Sequence, residues 1–135
     1  MNHETLGNTI RSRFKTQIAD ILSLPTQYDN QSYTKPANVL WCRLTILTGE
    51  SFQASFGGAG GKRFRTPGTM VAQLFNPVGL GDKAALAAAD SIVAAFRAVT
   101  DTGVVFRTPS VQRIGRTESE WQINVTCPFY VDDIG

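Results

Sequence analysis

Strict alternation of apolar and polar side chains near the C-terminal end is the feature that most constrains the fold of this chain. The apolar set is Trp121, Ile123, Val125, Cys127 and Phe129, and it alternates with Gln122, Asn124, Thr126 and Pro128. Because successive side chains of a β-strand point to opposite faces, a period of two predicts a strand with one buried face. We expect this strand over residues 119–131, in a hairpin with a strand over residues 104–114 and a connection at residues 115–118. The chain must therefore build a sheet that packs against another layer.

Two further segments have strand character. In residues 38–56 one alternating set is wholly apolar, and we place it on the core: Leu40, Cys42, Leu44 and Ile46. The opposite set mixes apolar and polar residues, which suits a partly covered outer surface: Val39, Trp41, Arg43, Thr45 and Leu47. We expect a bend at residues 49–50 and a short edge strand at residues 27–30. Residues 63–76 form another strand, with a kink at Pro67-Gly68 because proline cannot donate to the sheet ladder.

Two helices are predicted from apolar residues that recur every three or four positions. The first covers residues 4–22 and ends at Leu24-Pro25, because the residue before a proline disfavours the α region. Its buried stripe is Leu6, Ile10, Phe14, Ile18 and Ile21. The second is alanine-rich, covers residues 83–99 and has Asp82 as its expected N-cap. Its buried stripe is Leu86, Ala89, Ile92 or Val93, Phe96 and Val99.

The order of helix, strands, helix and strands indicates an α+β fold. We expect a mostly antiparallel sheet with both helices packed on one face and a long glycine-rich hairpin loop. A chain of 135 residues is expected to form one domain, residues 1–135. It has no apolar run of about 18 residues that would predict a membrane-spanning helix, and its first residues lack the apolar segment of a secretion signal. The 13 basic and 11 acidic residues are too balanced to indicate global binding of nucleic acid.

The glycine-rich segment FGGAGGKRFRTPG, residues 56–68, could be a phosphate-binding loop or a hairpin connection. A P-loop has the pattern G-x-x-x-x-G-K-[ST] and leads into a helix. Here Phe56 stands at the first glycine position, Arg63 replaces the magnesium-binding Ser or Thr, and a strand follows. The pattern therefore favours a hairpin connection.

A second glycine-rich segment, residues 79–84, matches the dinucleotide-binding pattern G-x-G-x-x-A. Asp82, however, would place a carboxylate where the pyrophosphate of the cofactor must lie. The parallel strands of a dinucleotide-binding fold are also missing. We therefore interpret this segment as a turn followed by an N-cap, and we expect no cofactor.

No catalytic or metal-binding set emerges from the sequence. His3 is the single histidine and lies at the terminus, so the usual general base of a Ser or Cys nucleophile is missing. The carboxylate pairs Glu118 with Glu120 and Asp132 with Asp133 are typical of solvated charge. Cys42 and Cys127 lie within apolar alternation and are interpreted as buried thiols. We therefore expect a protein that is not an enzyme.

Three basic residues crowd the glycine-rich loop: Lys62, Arg63 and Arg65. They could simply make a flexible connection soluble, or they could dock on the phosphates or carboxylates of a partner once the loop becomes ordered. A monomeric nucleic-acid-binding domain that uses these three residues with Arg113 and Arg116 is the alternative from another functional class. The absence of exposed aromatic residues interleaved with these arginines disfavours it.

An ordered set of motifs along residues 4–132 resembles the tail terminator, or tail-completion, proteins of long-tailed bacteriophages. The motifs are Tyr28-Asp29-Asn30, Trp41-x-Arg43, Arg65-x-Pro67-Gly68, Gln73-Leu74-Phe75-Asn76-Pro77-x-Gly79-x-Gly81, Ala89-Asp90 with Phe96, Trp121 through Phe129, and an acidic tail. Their order, the chain length and the long glycine-rich hairpin together carry the resemblance.

The resemblance implies a structural virion protein without catalytic residues, assembled in the cytoplasm of the bacterial host. Six copies would form a ring on the head-proximal end of the tail tube, stop its growth and offer a surface to the connector of the head, while DNA passes through the central hole. We expect Trp41 and Arg43 at the subunit interface. Lys62, Arg63 and Arg65 would face either the channel or a protein partner, and we favour protein because a DNA conduit should not retain DNA. A neck or head-completion protein remains the alternative.

Overall fold

The computed structural model of the protein describes residues 1–55, 61–79, 81–117 and 120–134, and these form an eight-stranded sheet with helices on one face. The helical elements are α1 (His3–Phe14), a π-helical turn (Lys15–Ala19), α2 (Asp20–Leu22) and α3 (Lys83–Phe96). The strands are β1 (Thr26–Gln27), β2 (Trp41–Thr48), β3 (Phe52–Gln53), β4 (Arg63–Pro77), β5 (Thr100–Asp101), β6 (Val104–Phe106), β7 (Ser110–Thr117) and β8 (Glu120–Ile134). No helix in these ranges is long and apolar enough to span a membrane.

The two longest strands, β4 and β8, form the centre of the sheet. They pair antiparallel along their whole length, from Arg63 opposite Ile134 to Pro77 opposite Glu120. The other side of β4 pairs with β2 and β3, and β1 adds in parallel to β2. The other side of β8 pairs with β7 and β6, and β5 follows β6 at the edge. The sheet is therefore mostly antiparallel, and the predicted α+β fold is confirmed.

The predicted core faces of the strands are the observed ones. Cys42 and Leu44 of β2 are buried, and so are the alternating residues of β8: Ile123, Val125, Cys127, Phe129 and Val131. They form one cluster with the buried residues of both helical segments, which places both helices on the same face. Cys42 and Cys127 are free, buried thiols, as the sequence predicted.

The first helical segment is continuous, but it is not α-helical throughout. Within the π-helical turn the backbone N–H of Asp20 donates to the carbonyl of Lys15, which is an i→i+5 bond. A π turn holds more residues than an α turn, so the positions after it are rotated away from the α-helical expectation. The prediction that Ile21 belongs to the buried stripe is therefore wrong, and its side chain is 68% exposed. Leu24, beyond the helix end at Ser23, is buried in its place.

The second helix is shorter than predicted. It ends at Phe96 because Arg97 is extended and Ala98 has a left-handed φ of 51°. The predicted stripe residue Val99 therefore lies outside the helix, and the buried set is Ala85, Ala88, Ala89, Ile92 and Phe96. Asp82 stands at the N-cap position, but its side chain makes no capping bond. It faces Arg113 at 3.8 Å instead.

Two predicted strands outside the central β4–β8 pair have boundaries that differ from the observed ones. The predicted edge strand at residues 27–30 is β1, one residue earlier and two residues long. The predicted strand over residues 104–114 is two strands, β6 and β7. Gly115, with a φ of 98°, does not form the hairpin connection but lies inside β7 at a register shift, and β7 continues to Thr117. Residues 118–119, between β7 and β8, lie outside the described residues.

The sequence predicted that Pro67-Gly68 interrupts this strand, but β4 runs through the dipeptide without interruption. The break occurs in the neighbouring strands, since β2 ends opposite Gly68 and β3 begins opposite Arg65. Pro67 lies opposite this gap, where its missing N–H costs no ladder bond, and its carbonyl accepts from the N–H of Gly49 at 2.8 Å. The tip of the predicted glycine-rich hairpin, residues 56–60, lies outside the described residues.

Candidate interaction surfaces on the open face of the sheet

The sheet face opposite the helices carries the side chains that the sequence singled out. We call it the open face: the side of β2, β4 and β8 that bears Arg43, Gln73 and Asn124. Alternation along these strands places two clusters there, an aromatic cluster at one end and an arginine cluster at the other. Between them the face presents mostly uncharged amide and hydroxyl side chains.

The aromatic cluster is formed by Tyr33, Trp41 and Phe75. The ring centroids of Trp41 and Phe75 are 4.5 Å apart, and those of Trp41 and Tyr33 are 5.6 Å apart, both stacked. The guanidinium of Arg43 lies 5.5 Å from both the Trp41 and the Phe75 ring centroids. Trp41 is only 3% exposed, so within one chain it is already covered. Its predicted place at a subunit interface stays a prediction, and Arg43, which is exposed, is the more accessible member of the pair.

Glu120 links this cluster to the first residues of β8. Its carboxylate accepts from the indole N–H of Trp41 at 2.7 Å and pairs with the ammonium group of Lys35 at 2.9 Å. Through these two charge-assisted contacts the carboxylate ties β8 to β2 and to the segment that holds Lys35. Glu118, its possible partner in a carboxylate pair, lies outside the described residues.

The arginine cluster surrounds Tyr130 at the opposite end of the open face. Arg65 forms a two-pronged ion pair with Asp132, with nitrogen–oxygen distances of 2.8 and 3.0 Å. Its guanidinium also lies 4.0 Å from the centroid of the Tyr130 ring, and that of Arg107 lies 5.0 Å from the same centroid. The hydrogen bonds from Arg65 hold the pKa of Asp132 below its usual value, and the same bonds raise the pKa of Arg65.

The structure therefore separates the three basic residues that the sequence grouped. Arg65 belongs to β4 and has its charge balanced by Asp132, whereas Lys62 and Arg63 are exposed where the strand begins. Arg107, which the sequence analysis did not single out, joins them across Tyr130. No local signal indicated this, because the contact depends on β6 pairing with β8 over a separation of more than 20 residues.

The remaining candidate sites do not assemble. Asp132 and Asp133 are neighbours on a strand, so their side chains point to opposite faces of the sheet. Asp133 contacts the amino group of Met1. His3 lies exposed at the start of α1. Within the described ranges no three His, Cys, Asp or Glu side chains come together as metal ligands. The segment of residues 79–84 joins β4 to α3, and β4 is antiparallel to its neighbours, so a dinucleotide fold is ruled out at this turn.

Comparison with known proteins gives one family and one fold. A family model described as phage tail terminator protein matches residues 6–129. Among solved structures, one chain with 20% sequence identity aligns with a TM-score of 0.65, covering 92% of this chain and 94% of that chain. At this identity the likeness shows the fold alone. No curated protein sequence matches. The chain belongs to the phage tail terminator family, a family of structural proteins of phage tails.

Proposed function

We propose that six copies of the chain close into a ring that caps the head-proximal end of the tail tube. The ring ends polymerisation of the tube and offers the surface on which the connector of the head docks, while DNA passes through its centre without specific binding. The observation that carries this proposal is the match to the tail terminator family over residues 6–129, nearly the whole chain. The resulting location is the tail of the virion.

A ring suits the task for a physical reason. A protein that stops a growing tube must bind its end without recreating that end. Head-to-tail contacts that close by rotation use up all lateral surfaces and leave two different faces, one for the tube and one for the head. The eight-stranded sheet also has open edges at β1 and β7, which a ring of neighbours would cover.

Docking on the tube or connector is assigned to the arginine end of the open face. Lys62 and Arg63 are exposed there, and Arg107 lies beside them, while Arg65 with Asp132 holds the strand ends together. Two exposed apolar side chains, Leu47 and Phe52, lie on the same part of the face. A cationic surface with apolar residues fits an acidic protein surface better than it fits DNA, whose backbone offers only charge.

The experiment mixes purified protein with isolated tail tubes and, separately, with DNA-filled heads. We expect rings in face-on electron micrographs, caps on tube ends and no further elongation of capped tubes. Attachment to heads without prior capping of tubes would instead identify a neck or head-completion protein. Retention on immobilised DNA with a steep salt dependence would identify a nucleic-acid-binding domain.

A charge-removal variant tests the docking surface. We expect Lys62→Ser with Arg63→Ser to leave folding intact, since both residues are exposed, but to weaken binding to tube ends several-fold. The matched control is Arg11→Ser with Arg97→Ser, which removes the same charge from the helix side and should bind like the unaltered protein. Equal loss in both variants would show that net charge, not this surface, drives docking.

A further inference from the structure

A head-to-tail ring needs two different surfaces on each subunit, one at each lateral end. We propose that the β7 edge of one subunit inserts into an apolar groove beside α3 of the next copy of the same chain. This inference rests on the ring of the proposed function and specifies which residues close it.

The groove lies between α3 and the residues that lead from α2 into β1. Its volume is about 520 Å³. Its lining is almost entirely apolar or small and includes Leu22, Leu24, Val39, Ala84, Ala87 and Ser91. Val39, on this lining, is 45% exposed. Most of the α3 side chains that line the groove are alanines. Because alanine is short, a neighbouring chain can approach the helix closely.

The projecting surface is the β7 edge. Within the described residues β7 pairs only with β8, and Val111 and Ile114 on it are exposed, Ile114 by 49%. The register shifts between Arg113 and Gly115, so Ile114 is the extra residue there and stands opposite no residue of β8. Val111 stands opposite the buried Val125 and therefore lies on the helix side of β7. Arg113 stands between the two apolar residues, and its nearest carboxylate, that of Asp82, is 3.8 Å away.

The β7 edge and β1, which borders the groove, lie at opposite edges of the sheet, although the start of α3 comes near β7 through the contact between Asp82 and Arg113. Going from β7 to β1 the order is β8, β4 and β2, a span of roughly 20 Å at about 4.8 Å per strand. A second copy of the chain is the occupant that buries both surfaces. Each contact joins the β7 edge of one subunit to the groove of the next, so in a closed ring every edge and every groove is covered. Charge adds to the fit, since Asp90 is exposed on α3 next to Ser91 of the groove and can face Arg113.

The test uses one variant of each surface. Ile114→Asp is the edge variant and Val39→Asp is the groove variant. Both side chains are exposed, so the melting temperature should stay within a few degrees of the unaltered protein, and circular dichroism checks this. Ile134→Asp, at a still more exposed apolar position at the end of β8, is the control that should still form rings.

Sedimentation and native mass spectrometry give the readout. We expect each variant alone to shift from rings to the single-chain mass of 14.7 kDa. Mixed together they should form a dimer of one edge and one groove variant, because the mixture retains one intact edge and one intact groove. Variants that still form rings, or a mixture that stays monomeric, would overturn the assignment of surfaces. Unaltered protein that never forms a ring, even with tail tubes added, would overturn the proposed function instead.

Discussion

At the residue scale, Gly68 is a position in the sheet that has no room for a larger side chain. A Cβ added there would clash with the ring of Phe129 and come within 2.6 Å of the carbonyl oxygen of Leu47. The Phe129 side chain is buried in the core and the Leu47 oxygen belongs to the backbone, so neither can move freely. We expect Gly68→Ala to destabilise the fold by about 1–3 kcal/mol, as overpacking of a core does.

Urea unfolding of Gly68→Ala measures this cost, and Gly49→Ala is the matched control. At Gly49 the nearest atom to an added Cβ is Cγ of Pro67 at 3.4 Å, an ordinary contact. The control should therefore change stability by less than about 0.5 kcal/mol. Equal unfolding midpoints for the two variants would show that the strands shift apart at Gly68 without cost.

The sequence grouped Lys62, Arg63 and Arg65 because they are close along the chain, but the structure gives them different surroundings, with Arg65 paired and the other two exposed. Whether an arginine is free or paired depends on which residue stands opposite it. Arg65 faces Asp132 across 67 positions of sequence, a partnership that only the register of β4 on β8 creates. Arg107 reached the same cluster through a second long-range pairing. The number of basic residues in a short stretch of sequence does not tell which of them is paired with a carboxylate in the fold.

At the element scale, the Arg65–Asp132 pair joins the first residues of β4 to the last residues of β8. The pKa of Asp132 is lowered in the folded protein, so the folded state favours the ionised carboxylate. Its contribution to stability is present at pH values above the unfolded pKa of about 3.9 and is lost as the pH falls through the folded pKa. We expect Asp132→Asn to be less stable than the unaltered protein at pH 7, with the difference shrinking below about pH 4.

Urea midpoints measured from pH 7 down to pH 3 test this dependence. Glu50→Gln, at an exposed position between β2 and β3, is the control whose midpoint should follow that of the unaltered protein throughout. A difference between Asp132→Asn and the unaltered protein that persists unchanged at pH 3 would mean that the asparagine acts through packing and not through charge.

The elements that the sequence predicted best are those with one face in the core and one outside. In β2 and β8 the alternation of side chains survives because burial on one face requires it. The features that the sequence placed wrongly occur where the backbone departs from the regular period of a helix or a strand. The π-helical turn displaces Ile21, a register shift beside Gly115 stands where a turn was expected, and the left-handed Ala98 ends α3 early. Each follows from hydrogen bonding within the fold that residue types alone do not specify.

At the scale of the whole molecule, Cys42 in β2 and Cys127 in β8 report on the cooperativity of the fold. Both thiols are buried in the same core cluster, and burial raises the pKa of Cys127 to about 11 and that of Cys42 further still. Thiol reagents attack the thiolate, so neither cysteine should react until the chain opens. Because β4 pairs with β2 on one side and with β8 on the other, we expect both cysteines to become accessible in the same global transition.

Labelling with a thiol reagent at pH 8 across a urea series measures this directly, with Cys42→Ala and Cys127→Ala reporting each remaining thiol separately. In the absence of urea we expect labelling to be more than about 1,000-fold slower than in the unfolded chain, given a stability of at least about 5 kcal/mol. Both thiols should become reactive over the urea range in which the circular dichroism signal is lost. Reaction of Cys127 at clearly lower urea than Cys42 would show that β8 separates from the sheet on its own. The central β4–β8 pair would then not be the unit that holds the subunit together.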